Sequence, residues 1–411
     1  MRLAYILDTF PSVSETFILR EVLSLRKRGV DVQLFALRSE DSSAIDPVVR
    51  KMAADTCFRA SLSSTSLITG SLRALLCHPY KVLRLLALSI WHHMASPVSL
   101  LWLLRNFAVA LCFAHVARKK EVDHIHAHFL HIPADIAWVI SEVTGIPFSV
   151  SAHAHDIYTL NNYCYEHVVN QAQFIATCTE DGRSVVQNMF PDLKAGKVVT
   201  LRHGLFLENY EVTNPDGRMI LCVGRLEPKK GFVHAVNACR ELRDRGEDFN
   251  CIIAGRGSRQ AMLAESISNH GLSGRVDLVG ELSSEEVNRL YRKAAMLVVP
   301  SVIADNGDRD GLPNVILEAQ ASGLPVVATA VGAIGEFVED GVNGFVVPAG
   351  NSTLLADRIA ELMNDLPQRQ RMGLAGRAKV EKHFRIDDNI QWLLTLIERG
   401  AGDAGESNDR K

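Results

Sequence analysis

Short runs of apolar and β-branched residues alternate with amphipathic stretches along the first half of the chain. The runs predict β-strands at residues 2–7, 32–37, 123–127, 147–151, 173–178 and 197–201. Amphipathic segments between several of them, such as 15–28 and 133–143, predict helices. Strands that alternate with helices are typical of a parallel sheet covered by helices on both faces. The pattern therefore predicts a doubly wound α/β domain.

The same alternation restarts after a polar, turn-rich stretch near residues 205–217. It predicts strands at 219–223, 250–254, 276–279, 296–299 and 325–329, and helices at about 231–244, 259–270, 283–294 and 314–322. We therefore expect two Rossmann-like, doubly wound α/β domains, residues 1–205 and 218–385, that face each other across a cleft. A last helix, residues 386–400, follows the second domain, and the polar residues 401–411 form a disordered tail. Ligands of such domains bind beyond the carboxyl ends of the strands.

Composition narrows the class of protein. With 411 residues, 47% of them hydrophobic, the chain is long enough for two or three domains with sizeable cores. A formal net charge of -3 gives no indication of nucleic-acid binding. The eight cysteines form no CxxC pair, and several lie in apolar runs, which is typical of a reducing, cytosolic protein. The amino terminus lacks the apolar stretch and cleavage site of a signal peptide.

The segment DNGDRDGLPNVILEA, residues 305–319, concentrates acidic side chains in front of a predicted helix. It has three interpretations: a metal site on Asp308 and Asp310, a solvated acidic loop, or two carboxylates, Asp310 and Glu318, that hold one ligand. Pro313 suits the first turn of a helix, whose early amides form an anion site. Glu318 lies roughly 7–8 Å further along the axis at 1.5 Å per residue, too far for the two carboxylates to share a metal easily. A carboxylate is also how proteins bind the paired hydroxyls of ribose.

Other candidate side chains follow predicted strands. Arg225 and Lys230 come directly after the strand at 219–223, and five positions apart they can converge on one anion. A solvated basic loop is the alternative. Gly257 belongs to a Gly-x-Gly turn after the next strand, a weak signal on its own because many turns of this kind carry two glycines.

Several segments together resemble a known family. VGRLEPKKGF, AGRGSRQAML, VPSVIADNGDRDGLPNVILEAQASGLPVVAT and EFVEDGVNGFVVPAGN are similar to the nucleotide-sugar-binding domain of retaining glycosyltransferases of family 4, which have the GT-B fold. FPSVSETFILREVLSL, HIHAHFLHIPADIA and SAHAHDIY resemble the branch that includes colanic acid and other exopolysaccharide glycosyltransferases. The resemblance covers most of residues 1–385, in order.

The resemblance implies a role for each matching residue. By this resemblance Glu318 binds the ribose of the donor. Asp310 stands where the family usually has a Glu that contacts the transferred sugar, and the Asp310 side chain is one methylene shorter than that Glu. His153 matches the first-domain histidine that faces that sugar. The resemblance implies four catalytic residues: Asp310, His153, Arg225 and Lys230. It implies donor contacts by Arg225, Lys230, Gly257, Gly311, Leu312, Asn314, Val315 and Glu318, and acceptor-side positions at Ser14, Glu15 and His128.

The implied function is transfer of a hexosyl unit, with retention of configuration, from a nucleoside-diphosphate sugar to a glycan or lipid-linked acceptor. A UDP sugar is the expected donor, and polysaccharide biosynthesis on the cytoplasmic face of the membrane is the expected setting. No metal cofactor and no side-chain nucleophile are expected, since the basic pair and the helix amides neutralise the diphosphate. A nucleotide-sugar epimerase or hydrolase, or a non-catalytic partner, are the alternatives. Histidines 124, 126, 128 and 131 resemble a metal cluster, but we expect them to line the acceptor site.

Residues 56–120 contain no Asp or Glu, eight Lys and Arg residues, and many apolar side chains. Buried helices with a basic rim and a transmembrane span are alternatives, but Arg105 near the middle of a span would cost about 2.5–3.5 kcal/mol. A single crossing would also separate strands that should share one sheet. We therefore expect helices in the membrane interface, with Trp91, Trp102 and Phe107 inserted and the cations on anionic headgroups.

Overall fold

The computed structural model describes residues 1–12, 15–40, 47–94, 99–159, 166–213 and 217–399. The chain divides into two compact units. Unit 1 runs from Met1 to Leu201 and resumes at Asn389, and unit 2 is Arg202–Asp388. Each unit is built on one parallel sheet with helices, which confirms the predicted α/β class.

Unit 1 contains a seven-stranded sheet in which every paired strand is parallel, in the order β3-β2-β1-β4-β5-β6-β7. The strands are β1 Arg2–Thr9, β2 Asp31–Arg38, β3 Cys57–Phe58, β4 His124–His128, β5 Phe148–Ala152, β6 Ile175–Thr177 and β7 Val198–Thr200. The two inner strands β4 and β5 are buried throughout, as a sheet covered on both faces requires. The order reverses between β1 and β4, so the loops after these two strands diverge and leave a crevice.

The helices of unit 1 cover both faces of that sheet. They are α1 Thr16–Lys27, α2 Pro47–Ala54, α3 Ser64–Cys77, α4 Pro79–His93, α5 Leu100–Lys119, α6 Ile132–Thr144, α7 Ala154–Thr159, α8 Glu166–Gln171 and α9 Glu180–Met189. Helix α6 ends where Gly145 takes a left-handed conformation with φ of 80°, which a glycine adopts without strain.

Unit 2 contains a six-stranded parallel sheet in the order β10-β9-β8-β11-β12-β13, with the reversal between β8 and β11. The strands are β8 Met219–Val223, β9 Asn250–Ala254, β10 Val276–Gly280, β11 Met296–Val299, β12 Val326–Thr329 and β13 Gly344–Val347. The helices are α10 Phe232–Asp244, α11 Gln260–Asn269, α12 Ser284–Tyr291, α13 Asn314–Ala321, α14 Ile334–Phe337, α15 Ser352–Asn364 and α16 Leu366–His383.

The last helix, α17 Ile386–Arg399, has the predicted bounds within one residue, but it does not simply follow the second domain. From Asn389 onward it belongs to unit 1, where Trp392 Nε1 donates to the carbonyl of Thr200 at 3.2 Å. Gln173 Nε2 donates to the carbonyl of Ile397 at 3.1 Å. The chain therefore returns to unit 1 after completing unit 2. The predicted tail, 401–411, lies outside the described residues.

Helices α3, α4 and α5 pack against one another and form the insertion between β3 and β4. Ten large apolar side chains on them and on the turns beside them are exposed: Ile68, Leu72, Leu76, Tyr80, Leu83, Trp91, Met94, Leu100, Leu101 and Leu104. We call this set the apolar surface. Trp91 is exposed as predicted for membrane insertion, but Phe107 is buried in the core of unit 1 and Trp102 is half-buried. At 3.6 residues per turn Phe107 lies about 120° around the helix from Leu101, on the side that packs against the core of unit 1.

Among the described residues, α5 alone is long and apolar enough to cross a membrane. Over the apolar window that meets this criterion, 56% of the residues are buried inside the protein. A core helix meets the same criterion, so the length and composition of α5 are weak evidence for a span.

Candidate functional site

The reversal of strand order in unit 2 brings two loops together beyond the carboxyl ends of β8 and β11. The loop after β8 carries Arg225 and the 3-10 turn Pro228–Lys230, and the loop after β11 carries Ser301 and the acidic segment. Gly231 closes the first loop with φ of 61°, and a Cβ there would lie 2.0 Å from the carbonyl oxygen of Pro300. Only glycine therefore permits this approach of the two loops.

Lys230 and Asp310 form a largely buried ion pair between these loops. Lys230 Nζ lies 2.8 Å from Asp310 Oδ1 and donates to Oδ2 at 3.0 Å, with side-chain exposures of 15% and 7%. Ser301 Oγ donates to Oδ2 at 2.6 Å. Burial alone would raise the pKa of Asp310, but the charge and hydrogen bond of Lys230, with the hydroxyl of Ser301, hold its pKa below the ordinary value. Asp310 is therefore a carboxylate whose two oxygens are both engaged.

A second pair beside the first was not predicted from the sequence. Lys229 Nζ donates to Asp308 Oδ1 at 2.9 Å, and Lys229 is 9% exposed. The carbonyl of Lys229 also accepts the amide of Val302 at 2.8 Å. The 3-10 turn is thus fastened to the acidic loop through consecutive lysines. Asp308 and Asp310, considered above as metal ligands, are here the partners of Lys229 and Lys230.

Helix α13 begins directly after this loop. Pro313 occupies the N-cap position, and Asn314 is the first helical residue. The side chain of Asn314 is hydrogen-bonded through Oδ1 to His203 Nδ1 at 3.0 Å, which fixes the first turn. Gly311 and Leu312 are buried, whereas Asn314 and Val315 are half-buried. The first amides of a helix have no intrahelical partner and carry partial positive charge, so this terminus can hold a phosphate.

Glu318 lies one turn further along α13 and is half-buried. The hydroxyl of Tyr291 donates to its Oε2 at 3.1 Å, which orients the carboxylate. Arg225 is exposed at the end of β8. The loop after β8 and the start of α13 thus bring together Lys230, Asp310 and the helix amides.

Gly257 allows two loops to pack closely, a role that its Gly-x-Gly motif alone did not predict. A Cβ at Gly257 would lie 2.5–2.7 Å from the backbone atoms of Leu226. The two loops are joined there by backbone bonds, and by Glu227, whose Oε1 accepts the amide of Ser258 at 3.0 Å. Gly257 is therefore required for the close approach of the two loops, and its contact with a donor stays a prediction.

In unit 1 the predicted residues His128 and His153 lie together at the ends of β4 and β5. His128 Nδ1 is 3.2 Å from His153 Nε2, and both residues are buried. Asp156 Oδ2 accepts the amides of His153 at 3.0 Å and of Leu130 at 2.8 Å. Burial raises the pKa of Asp156 to about 7, against the two backbone hydrogen bonds that lower it. Glu15 is half-buried at the N-cap of α1, and Ser14 lies outside the described residues.

The expectation that the histidines of β4 line an acceptor site is wrong for two of them. His124 and His126 are 2% and 0% exposed. His124 Nε2 is bonded to Ser149 Oγ at 2.8 Å, and His126 is bonded to Ser149 and Ser151 through its two ring nitrogens. Because alternate residues of a strand share a face, the pattern correctly predicted the shared face, but that face is packed inside unit 1.

Glu21, His126 and His128 each bring one potential metal-ligand atom within 4.8 Å of the others. Both ring nitrogens of His126 already have serine partners. A metal on His126 would have to replace one of these bonds, so we assign the cluster to hydrogen bonding.

The comparison with known protein families gives a match that lies within unit 2. Residues 208–379 match the family model described as glycosyl transferases group 1. That stretch contains both ion pairs, the start of α13 and Glu318. Residues 208–379 form a glycosyl transferases group 1 domain. The resemblance expected from the motifs is thereby confirmed for this domain.

Relatives extend the similarity of the group 1 domain to the whole chain. The putative colanic acid biosynthesis glycosyltransferase WcaL of Escherichia coli is 27% identical over 97% of this chain and 100% of its own length. The amylovoran biosynthesis glycosyltransferase AmsK of Erwinia amylovora is 34% identical, but the match covers 50% of this chain and 51% of AmsK.

Solved structures confirm the GT-B fold expected for the two units. HepE of Anabaena, solved in complex with UDP and glucose, is 16% identical and matches with a TM-score of 0.71 over 97% of this chain and 100% of its own. Sucrose-phosphate synthase of Thermosynechococcus elongatus matches with a TM-score of 0.72 at 16% identity, over 97% of this chain and 98% of its own. At such identity these likenesses show the fold alone.

Proposed function

We propose that the protein is a retaining, metal-independent glycosyltransferase that moves a hexosyl unit from a nucleoside-diphosphate sugar to a glycan or lipid-linked acceptor. A UDP sugar is the first candidate donor, and exopolysaccharide or cell-surface polysaccharide biosynthesis is the proposed setting. The names of the relatives WcaL and AmsK support the setting. The UDP and glucose bound to HepE, which has the same fold, support the donor class.

One observation carries the proposal: cationic side chains and a helix N-terminus meet beyond β8 and β11 in the group 1 domain. Lys230 is oriented by Asp310, and the amides that begin α13 follow four residues after Asp310 in the chain. Donors fixed in advance toward a departing diphosphate stabilise the charge that develops on its oxygens. We assign this role to Arg225, Lys230 and the amides of Asn314 and Val315.

Asp310 acts through Lys230 in this proposal. Its two oxygens are engaged by Lys230 and Ser301, and the side chain is one methylene shorter than the Glu common in the family. We therefore assign Asp310 to holding the ammonium group in place and keeping the loop together. Glu318, oriented by Tyr291, accepts the ribose hydroxyls of the donor.

The proposed chemistry needs no side-chain nucleophile. The bond from the anomeric carbon to the diphosphate oxygen breaks, and the acceptor hydroxyl attacks from the same face. The departing phosphate oxygen takes the proton of that hydroxyl. The protein contributes stabilisation of the leaving diphosphate and orientation of the sugar.

The test is a panel of sugar nucleotides, first by calorimetric binding and then by transfer to isolated glycan and lipid-linked acceptors. We expect one nucleotide sugar to bind, and its transfer to continue in excess EDTA. Loss of transfer in EDTA that magnesium or manganese restores would contradict metal independence. Turnover of the donor without any acceptor would instead favour the hydrolase or epimerase alternative.

We further propose that the apolar surface rests on an anionic membrane, which places the protein on the cytoplasmic face of that membrane. Residues 56–120 contain no carboxylate side chain, and Arg73, Lys81, Arg84 and Arg105 are exposed among the apolar side chains. Leu76 and Leu101 are 81% and 79% exposed. Interfacial helices combine such apolar groups with cations that meet anionic headgroups, at about 1 kcal/mol per cation.

Vesicle co-sedimentation tests this surface. Replacing Leu76 and Leu101 by Gln should weaken binding to anionic vesicles at least about a hundredfold, since burying two leucines is worth about 3–6 kcal/mol. Leu374→Gln, an exposed leucine of unit 2, is the matched control. Reversal of Lys81, Arg84 and Arg105 should also weaken binding, and high salt should release the wild type. Equal binding to neutral and anionic vesicles, or binding to neither, would end the proposal.

A further inference from the structure

A line of polar side chains runs through unit 1 from β1 to the end of β5. It consists of Tyr5 on β1, Glu21 on α1, His128 at the end of β4 and His153 directly after β5. We call these four residues the histidine relay. The sequence predicted roles for His128 and His153 but none for Tyr5 or Glu21, which lie far from them along the chain.

Successive members of the relay are in polar contact. The hydroxyl of Tyr5 donates to Glu21 Oε1. The same oxygen lies 3.4 Å from His128 Nε2, and His128 Nδ1 lies 3.2 Å from His153 Nε2. Side-chain exposure is 13% for Glu21 and 1% for His128. The relay is therefore largely removed from water, where such contacts are stronger than at a surface.

The surroundings hold the outer histidine in one position. The rings of Phe17 and Phe129 lie 4.8 and 4.7 Å from the ring of His153, centroid to centroid. Asp156 accepts the backbone amide of His153 at 3.0 Å. Phe129 itself has φ of 81°, a left-handed conformation that an aromatic residue adopts only where its surroundings enforce it.

Contact chemistry assigns the protons of the relay. The Glu21 carboxylate only accepts, so the nitrogen that faces it, His128 Nε2, carries a proton. In neutral His128 the other nitrogen, Nδ1, then holds a lone pair and accepts a hydrogen bond from the N–H at His153 Nε2. The lone pair of neutral His153 is thereby assigned to Nδ1.

We propose that Glu21 and His128 are positioning residues that fix His153 as the tautomer with its lone pair on Nδ1, so that His153 accepts a hydrogen bond from a substrate hydroxyl. This inference rests on the proposed function, in which His153 contacts the transferred sugar. Specificity follows from it, because a site that accepts from a hydroxyl discriminates against a sugar that lacks that hydroxyl.

The ionisation of Glu21 agrees with this assignment. Burial alone would raise the pKa of Glu21, but its hydrogen bond with His128, the positive charge that His128 and His126 carry once protonated at low pH, and the hydroxyl of Tyr5 lower it to about 2. Glu21 is therefore a carboxylate at neutral pH. A neutral acid in its place could donate as well as accept, so it would not fix the proton of His128 on Nε2.

The tautomers can be measured without any substrate. In protein labelled with 15N in its histidine rings, long-range proton–nitrogen correlation separates the two neutral tautomers, and the signals of His153 are identified by their loss in His153→Gln. At pH 7.5 we expect His128 and His153 to carry their protons on Nε2. In Glu21→Met, which keeps the length of the side chain but removes the acceptor, both should change to a mixture of tautomers.

Kinetics with the donor found in the binding panel form the second arm. Glu21→Met should lower kcat about tenfold, the equivalent of one hydrogen bond, with the KM for the donor unchanged within about twofold. Glu21→Gln, which can still accept from His128, should recover part of the loss. Ser151→Ala removes a partner of the neighbouring His126 and is the matched control, with kcat close to wild type.

The outcomes separate this inference from the proposed function. If the wild type transfers no sugar but the tautomers are as assigned, the proposed function is wrong and the proton assignment of the histidine relay is confirmed. If the wild type transfers sugar while His153 carries its proton on Nδ1, or while Glu21→Met changes neither tautomer nor kcat, the inference is overturned. If Glu21→Met does not fold, Glu21→Gln decides: an unchanged kcat overturns the inference, and a reduced one supports it.

Discussion

The Lys230–Asp310 pair allows the most direct test of the group 1 site, because the two side chains are buried together. In Lys230→Ala, Asp310 keeps its hydrogen bond from Ser301 but loses the charge that balances it at 2.8 Å. In Asp310→Ala, the ammonium of Lys230 is the group left unbalanced. Either single change should therefore lower the free energy of unfolding as well as the rate of transfer.

The magnitude follows from the burial of the pair. Breaking a buried ion pair by removing one partner costs about 3–5 kcal/mol, because an uncompensated charge remains inside. At about 2–4 °C per kcal/mol for a unit of this size, the melting temperature of unit 2 should fall by about 6–20 °C. The double variant Lys230→Ala, Asp310→Ala removes both charges of this pair and strands neither. It should be less destabilised than the sum of the singles, by about 1–3 kcal/mol.

Thermal and denaturant unfolding of the full chain give the four corners of this double-mutant cycle. The neighbouring pair, Lys229 and Asp308, provides a parallel double-mutant cycle. One partner of that pair is more exposed to solvent, since 21% of the Asp308 side chain is exposed. We expect a smaller coupling there. Additive effects at Lys230 and Asp310 would refute the claim that the pair acts as one unit. Full transfer by Lys230→Ala would refute its role at the diphosphate, where losing one donor costs about a hundredfold or more in rate.

Three further predictions concern single residues. Glu318→Ala should raise the KM for the donor at least tenfold, while unfolding studies show a loss of only about 1.5–3 kcal/mol for the lost hydrogen bond from the Tyr291 hydroxyl to a carboxylate; an unchanged KM would remove Glu318 from the donor site. Gly231→Ala should destabilise unit 2 by more than about 1–2 kcal/mol, since it adds left-handed strain to a contact of 2.0 Å with the Pro300 carbonyl, and a wild-type melting curve would contradict this. Burial lowers the pKa of His124 to about 3, against 6.5 in the unfolded state. As the pH drops below 6.5, the unfolded state binds a proton that the folded state does not, so the free energy of unfolding decreases as the pH decreases. Between pH 6.5 and 5 His124→Phe should lose about 2 kcal/mol less than the wild type in denaturant titrations, and parallel curves would show that His124 has no such effect.

Hydrophobic periodicity predicted most of the strands because the inner strands of a doubly wound sheet are apolar throughout. Met219–Val223, Asn250–Ala254 and Met296–Val299 have the predicted bounds. The pattern missed two strands. Cys57–Phe58 is too short to show a period, and Gly344–Val347 begins with a glycine, which is unfavourable in strands on local grounds. Sheet pairing with β12 overrides that preference.

The candidate site was predictable only where a residue follows a strand or opens a helix. Arg225, Lys230 and Asp310 satisfy that rule, and the structure brings Lys230 and Asp310 into contact. Their remaining partners could not be found in this way, because partnership depends on how two loops meet. Lys229 is adjacent to Lys230 and gave no separate signal, and Ser301, although it follows β11, is an uncharged residue whose partner lies nine positions away.

Both units place a carboxylate beside the reversal of their strand order, and in both that carboxylate contacts a nitrogen of a neighbouring side chain inside the protein. In unit 2 Asp310 holds Lys230, and in unit 1 Glu21 holds His128. A group held in advance loses little energy in reorganisation when substrate charge develops, which is the basis of electrostatic catalysis. The same pairing ties activity to stability, because a variant that removes one partner strands the other. A single variant of this kind can therefore lose activity because it is destabilised. Loss of activity identifies a functional residue only when the double variant, which removes both partners and is folded to the same extent, is equally inactive.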